Sequence, residues 1–411
     1  MTHATLWFDQ AVEGGATVWR VTLEGAAGPL GPRASFSYAA LDEASIPSPP
    51  VLDSLAGAAL LYLQSHGQDL AVRGPMSRLA LYNLGQLAEA RRCTSSALYP
   101  RAAAIRPDSI RDEVPPAREP DAASLSFSGG LDSTFTAMRL GRGRAGPGAP
   151  RLGQLVITQG FDTRLDRPHE IARMVERVRP LARDAGVPLR VVRTDAWSIG
   201  GALWPQTATP LMAASLAMFA HIFPTGIIGG GLPYGTGRVG LGHPALFDQF
   251  STGAAFRMMT DATGWTRSQK LRWLLDYPET LPNLRVCVSG FEAGGDSSSN
   301  CGRCSKCLDL WMTYRMVGVS NPPGFDREVE PALIRTLHAD DVYDARGIGT
   351  LHEDAVATGA KGAWVDDLSW RLAQVPPSLS IPRVIGRAVR RFAPPSVRAA
   401  IRRRLPLALR P

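Results

Sequence analysis

The sequence predicts an α/β protein built on a doubly wound parallel sheet, preceded by an N-terminal α+β unit and followed by a basic helical tail. Three observations lead there. Residues 124–128, Ser-Leu-Ser-Phe-Ser, alternate polar with apolar as a strand does, and run straight into Gly129-Gly130 and an apolar helix from Thr134 to Leu140. Strand and helix patterns then alternate as far as Ile228, a β-α-β-α-β-α-β order that favours right-handed crossovers and helices on both faces. Finally, Cys287, Cys301, Cys304 and Cys307 gather inside a window of 21 residues.

In chain order, residues 1–120 read as a unit of their own. It has a strand-like Ala16 to Leu23, a proline-rich break at Ile46 to Pro50 and an apolar helix around Leu55 to Leu63. Val114-Pro115-Pro116-Ala117-Arg118-Glu119-Pro120 is the clearest linker and opens the main domain, 121–320. There, Asp132 and Ser133 are expected to cap the helix that follows the glycines. A Gly/Pro-rich loop covers 141–150, and a β-branched strand, Gln154 to Thr158, ends at Gly160-Phe161-Asp162, where ligands of parallel sheets gather. A helix over Arg167 to Ala185, with Pro180 inside it, leads to a strand over Leu189 to Val192. A helix over Leu211 to His221 and a strand over Thr225 to Ile228 finish the alternation, and Gly229-Gly230-Gly231 opens the end of that last strand. Residues 321–379 read as a helical extension and 380–411 as the basic tail.

The segment Ser128-Gly129-Gly130-Leu131-Asp132-Ser133 carries the most chemistry. Glycines between a strand and a helix can take φ > 0 and admit a ligand to the main chain, while the helix amides present the positive end of the dipole. Phosphate oxygens suit that environment. The hexapeptide resembles the S-G-G-x-D-S signature of the N-type ATP pyrophosphatases, the PP-loop superfamily, at every position. That resemblance implies an adenine nucleotide alpha hydrolase-like fold, in which Ser128 to Ser133 hold the β- and γ-phosphates of ATP and leave the α-phosphate open to attack. Asp132 would act through Mg²⁺, since a bare carboxylate beside phosphate repels it. The G-x-x-x-x-G-K-[ST] spacing of a Walker A loop occurs nowhere, which disfavours kinase and GTPase chemistry.

The cysteines form Cys301-Gly302-Arg303-Cys304-Ser305-Lys306-Cys307, ahead of an apolar helix over Leu308 to Val317, with Cys287 a further 14 residues upstream. Four thiolates suit tetrahedral Zn²⁺. An iron–sulfur cluster is the competing reading, and disulfides do not suit a cytosolic chain. A PP-loop followed by this cysteine pattern is similar to 7-cyano-7-deazaguanine synthase and its relatives over roughly residues 121–320. The likeness extends to Thr266 to Arg272, where it implies a lysine, Lys270, that neutralises the leaving phosphates; a solvated lysine on a helix face is the alternative. The synthase is much shorter and its substrate-recognition residues are not evident, so the resemblance implies adenylation and not the deazaguanine product. Gly229 and Gly230 would flank the nucleotide, and Gly160 and Asp162 join the binding residues from their place at a strand end.

The formal charge of +8 comes from the tail, since residues 380–411 hold nine arginines and no acidic residue. Any attraction to RNA or to an anionic membrane surface belongs there, with a tail docked on its own domain or disordered as the alternatives. With no secretory signal read at the N-terminus, the expected location is cytoplasmic, with peripheral membrane contact through the tail. Gly235 to Gly240 satisfies G-x-G-x-x-G without a following helix, which argues against a dinucleotide site. His243 reads as a loop histidine or a general base, Trp197, Trp204 and Trp265 as core, and Cys93 as a lone packing residue.

These readings converge on an ATP-dependent ligase that adenylates a small-molecule or peptide acceptor at a carboxylate or amide oxygen, with a nitrogen nucleophile then displacing AMP. Sulfur transfer to RNA, or a sensor that grips ATP without turnover, are the alternatives.

Overall fold

The computed structural model describes residues 3–41, 43, 45–231, 233–234, 244–288, 296, 298–337 and 342–375. The basic tail, His243 and Gly235 to Gly240 lie outside them. The strands are β1 (His3–Glu13), β2 (Ala16–Glu24), β3 (Arg33–Ala40), β4 (Asp69–Met76), β5 (Ile105–Ile110), β6 (Ala122–Ser126), β7 (Arg151–Gln159), β8 (Leu189–Thr194), β9 (Thr225–Gly229) and β10 (Arg257–Asp261). The helices are α1 (Asp53–Ser65), α2 (Arg78–Thr94), α3 (Leu131–Gly141), α4 (Pro168–Asp184), α5 (Trp197–Gly200), α6 (Trp204–Ala217), α7 (Pro244–Phe247), α8 (Arg267–Leu274), α9 (Ser305–Met316), α10 (Val342–Ala357) and α11 (Ala363–Ala373).

Among the described residues, all the strands form one ten-stranded sheet in the order β10-β9-β6-β7-β8-β3-β2-β1-β4-β5. From β10 to β8 every pairing is parallel. The chain leaves β6, steps outward through β7 to β8, then crosses back to β9 and β10 on the other side of β6. The winding direction therefore reverses between β6 and β9, and the crevice at the carboxyl ends of those two strands is where such sheets bind ligands.

Side-chain alternation decides the layers. Leu155 and Ile157 of β7 face one core with Phe135 of α3, Val178 of α4 and Leu271 of α8. Val156 faces the other, with Leu60 of α1, Leu87 of α2 and Leu211 of α6. Each fully buried aliphatic or aromatic side chain of this kind contributes about 1.5–3 kcal/mol. A third cluster joins Leu308 and Met312 of α9 to Leu351 of α10 and Leu368 of α11.

The N-terminal residues do not stand apart. Strand β3 pairs antiparallel with β8, Tyr38 opposite Thr194, so the sheet crosses the expected boundary at residue 120 without a break. The physical reason lies in the apolar surface of α6: Leu211, Ala214 and Leu216 are buried in the same core as Leu6, Val21 and Leu60. Helix α6 also begins earlier than its apolar run suggests, at Trp204, with a proline in the first turn, where its missing amide proton costs nothing. Helix α3 differs at its start as well. Its cap is Gly130, so Asp132 lies inside the first turn and does not cap it. Among the described residues no helix is long and apolar enough to cross a membrane.

Candidate functional site

At the end of β6 the Phe127 amide continues the ladder by donating to Val156 O at 2.8 Å, and the chain then turns. Gly129 makes the turn with φ +73°, and a Cβ there would stand 2.5 Å from Val178 Cγ1. Conformation and space both demand glycine. The loop is braced from within: Gly130 N donates to Ser128 Oγ at 3.3 Å and Ser133 Oγ donates to Gly130 O at 3.2 Å. No side chain caps α3, so its first amides remain orphans of helix geometry at the carboxyl edge of the sheet.

Strand β9 closes on this turn. A Cβ on Gly229 would meet Asp132 O at 2.7 Å, so only glycine lets the strand end touch the first turn of α3. The next residue, Gly230, donates its amide to Asp261 O at 2.8 Å and accepts from Lys270 Nζ. Lys270 comes from α8, a short helix started by a capping box in which Gln269 N donates to Thr266 Oγ1 and Thr266 N donates to Gln269 Oε1 at 2.9 Å. With no exposure at all, Lys270 is not on a solvated face; its Nζ lies 2.7 Å from Asp132 Oδ1. Arg267, three residues earlier on the same face, reaches Asp132 Oδ2 at 3.5 Å and pairs with Asp309 of α9. Two cations and two carboxylates thus converge where β6 and β9 part.

A strap ties this loop to the cysteines. Arg285 N donates to Gly129 O at 2.8 Å, and the Arg285 side chain, 1% exposed, donates to Cys287 O at 3.0 Å. Buried Asn300 holds the strap from the far side, accepting from Val286 N at 2.9 Å and donating to Leu284 O at 2.8 Å. The four cysteine sulfurs lie within 4.8 Å of one another. Cys287 and Cys304 are 3.8 Å apart and Cys301 and Cys307 3.9 Å. A tetrahedron with metal–sulfur arms of about 2.3 Å has edges of about 3.8 Å. The Arg303 and Cys304 amides donate to Cys301 Sγ at 3.5 and 3.4 Å, which suits a thiolate. The Cys287, Cys304 and Cys307 sulfurs, with the Arg303 amide, draw the Cys301 thiol well below its ordinary range. The residues fit a four-thiolate metal centre with no open coordination position.

Asp162 stands at the end of the neighbouring strand, 3.9 Å from Lys306 Nζ and 3.8 Å from Arg285 Nη1. Lys306, then Arg285, holds its carboxyl below the usual range against the opposing effect of burial. Gly160 is glycine for a local reason, since a Cβ at its φ of +110° would run into Thr194 O. The structure therefore brings Ser128 to Ser133, Gly229, Gly230 and Lys270 together, with Asp162 and the cysteines linked to them through Arg285. Cys93 is exposed on α2, its sulfur 3.4 Å from Arg92 Nη2, and lies outside the four-cysteine cluster.

Sequence reasoning missed Arg267, Asp309, Arg285 and Asn300. A signal existed for Arg267, one helical turn before Lys270, but none for Asp309 or Asn300. No protein family matches the chain, and no curated protein or solved structure gives a significant match.

Proposed function

We propose that this protein is an ATP-dependent adenylating enzyme of the PP-loop type with a structural zinc. The observation that carries the reading is the position of Ser128-Gly129-Gly130-Leu131-Asp132-Ser133: a left-handed glycine and uncapped helix amides at the switch point of a parallel sheet, facing two cations from α8.

In this reading the amides of the turn and the Lys270 and Arg267 side chains take the outer phosphates of ATP, and Asp132 would hold Mg²⁺, which would supply charge neutralisation at those phosphates. An acceptor oxygen, from a carboxylate or amide, forms a bond to the α-phosphorus while the bond to the β-phosphate oxygen breaks and pyrophosphate leaves. A nitrogen nucleophile then attacks the activated carbon, loses a proton and displaces AMP. The chain contributes positioning and charge at the phosphates, which is the larger part of catalysis in such reactions. Cys287, Cys301, Cys304 and Cys307 would hold zinc, whose part is to fix the Leu284–Cys287 strap behind the glycine turn.

The test is a screen of carboxylate acceptors with ammonia or amino donors, following AMP and pyrophosphate together. Equal amounts of both, abolished by Asp132→Ala, support the reading. ATP binding without AMP under any acceptor would favour a nucleotide sensor.

A further inference from the structure

The residues after the cysteine cluster read from sequence as helical decoration, yet α10 reaches back to the helix that carries the site's cations. Asp354 of α10 is 6% exposed. Its Oδ1 accepts from Thr266 Oγ1 at 2.8 Å and from Ser268 Oγ at 2.6 Å, and its Oδ2 accepts from Ser268 N at 2.9 Å. A carboxylate this buried is tolerated because donors replace the lost water. Every one of these donors belongs to a single turn, the start of α8.

Helix α10 is itself anchored. Ile348, Leu351 and Ala355 pack with Met312 of α9 and Leu368 of α11 in a separate apolar cluster. Asp354 is therefore a fixed point from which the first turn of α8 is hung. Its two partner residues flank Arg267 directly and lie about one turn and half a turn before Lys270, and both cations reach Asp132.

Resting on the phosphate-binding reading above, we propose that Asp354 is a positioning residue: by holding Thr266 and Ser268 it sets where Arg267 and Lys270 stand against Asp132, and with that the affinity for the outer phosphates of the nucleotide. Residues 342–375 are then a working part of the nucleotide site.

The experiment is calorimetric titration of the full chain with magnesium pyrophosphate, with thermal unfolding measured alongside. Asp354→Ala weakens binding about tenfold, the scale of a lost hydrogen-bonded buried charge. Asp354→Asn keeps an oxygen for the Ser268 amide and an amide group that can face the hydroxyls, and restores binding to within about threefold of the parent. Ser268→Ala weakens binding in the parent chain but adds nothing in Asp354→Ala, because both changes cut the same link. A lower unfolding temperature with unchanged affinity in Asp354→Ala, or additive effects of Ser268→Ala, overturns the proposal while leaving the phosphate site intact. Failure of the unmutated chain to bind pyrophosphate overturns the phosphate site and this proposal with it. If Asp354→Ala does not fold, the other two variants decide: Asp354→Asn within about threefold of the parent with Ser268→Ala weakened further supports the assignment, and any other pair of affinities overturns it.

Discussion

Lys270 Nζ sits 2.7 Å from Asp132 Oδ1, and the lysine side chain has no contact with solvent. The two residues come from α8 and from the first turn of α3, so this ion pair, with the longer one from Arg267, joins the glycine turn to α8. A buried ammonium group survives only when paired and hydrogen-bonded. Lys270→Met leaves Asp132 with the longer contact to Arg267 and Gly230 O without its donor. The expected loss is about 3 kcal/mol in urea unfolding, because Asp132 loses its nearest counter-charge and the Gly230 carbonyl loses its donor. Asp132→Asn combined with Lys270→Met should recover part of that loss. A single-variant change no larger than about 0.5 kcal/mol, the size of an ordinary surface substitution, would show that the pair does not hold the site together.

Metal content gives the second prediction. The purified chain should carry about one zinc, and none after Cys301→Ser combined with Cys307→Ser, because four thiolates complete the tetrahedron. Since Arg285 N holds Gly129 O and the strap ends at Cys287, one of the four clustered cysteines, metal removal is expected to loosen the glycine turn as well. Chelation is expected to lower the unfolding temperature and abolish nucleotide binding together. Nucleotide affinity that survives complete loss of zinc would uncouple the strap from the loop.

The third prediction concerns acid. Lys306 first, and then Arg285, holds the Asp162 carboxyl below its ordinary range in the folded chain. A depressed carboxyl adds stability that is complete above the unfolded-state value, about 3.9, and is lost as the pH falls through the folded one. Compared with Asp162→Asn, the parent chain should hold its advantage at neutral pH and shed it progressively below about pH 4, where the unfolded carboxyl takes up its proton. A stability difference that stays flat across this acid range would show that Lys306 and Arg285 do not stabilise the charge.

Much of the parallel part of the sheet was legible in the sequence because its signals are local. The alternation over β6, the β-branched run of β7 and the glycines at Gly129 and Gly229 each mark their own element. The same holds for the cysteines, where spacing along the chain already implies a cluster. What stayed hidden depends on distant segments. Nothing in the local pattern of Arg33 to Ala40 says that β3 pairs with β8, and nothing in Asn300 says that it clamps Leu284 and Val286. Lys270 looked equally like a surface residue because burial is decided by Asp132, far away in sequence.

That continuity across residue 120 leads to the fourth prediction. A chain beginning at residue 121 would lose β3, exposing the β8 edge, and would uncover Leu211, Ala214 and Phe256, all buried against the N-terminal residues. Unpaired edges and large apolar patches promote aggregation. The shortened chain is expected to aggregate on size-exclusion chromatography, whereas residues 1–375 remain monodisperse. A folded, monodisperse product from residue 121 onward would show that the shared sheet is dispensable.

The last prediction separates the two glycines of the turn. Gly129 has φ +73°, and a methyl group there would press on Val178 Cγ1 at 2.5 Å. Gly130 has φ −75° and its methyl would find Ser128 Oγ at 3.2 Å and Arg285 O at 3.5 Å, so an alanine fits the backbone with a small shift of a hydroxyl. Gly129→Ala therefore carries both a left-handed strain and a clash, expected to cost about 1–3 kcal/mol, while Gly130→Ala should stay within about 1 kcal/mol of the parent. Binding should discriminate differently. The methyl of Gly130→Ala would sit within the turn braced by Ser128, the one whose amides are proposed to receive phosphate, so this variant should retain its fold and lose affinity for magnesium pyrophosphate. Unfolding curves and calorimetric titration of the two variants together read both effects. If Gly130→Ala folds and binds like the parent, the phosphates do not approach the main chain at this turn, and the adenylation chemistry loses its anchor.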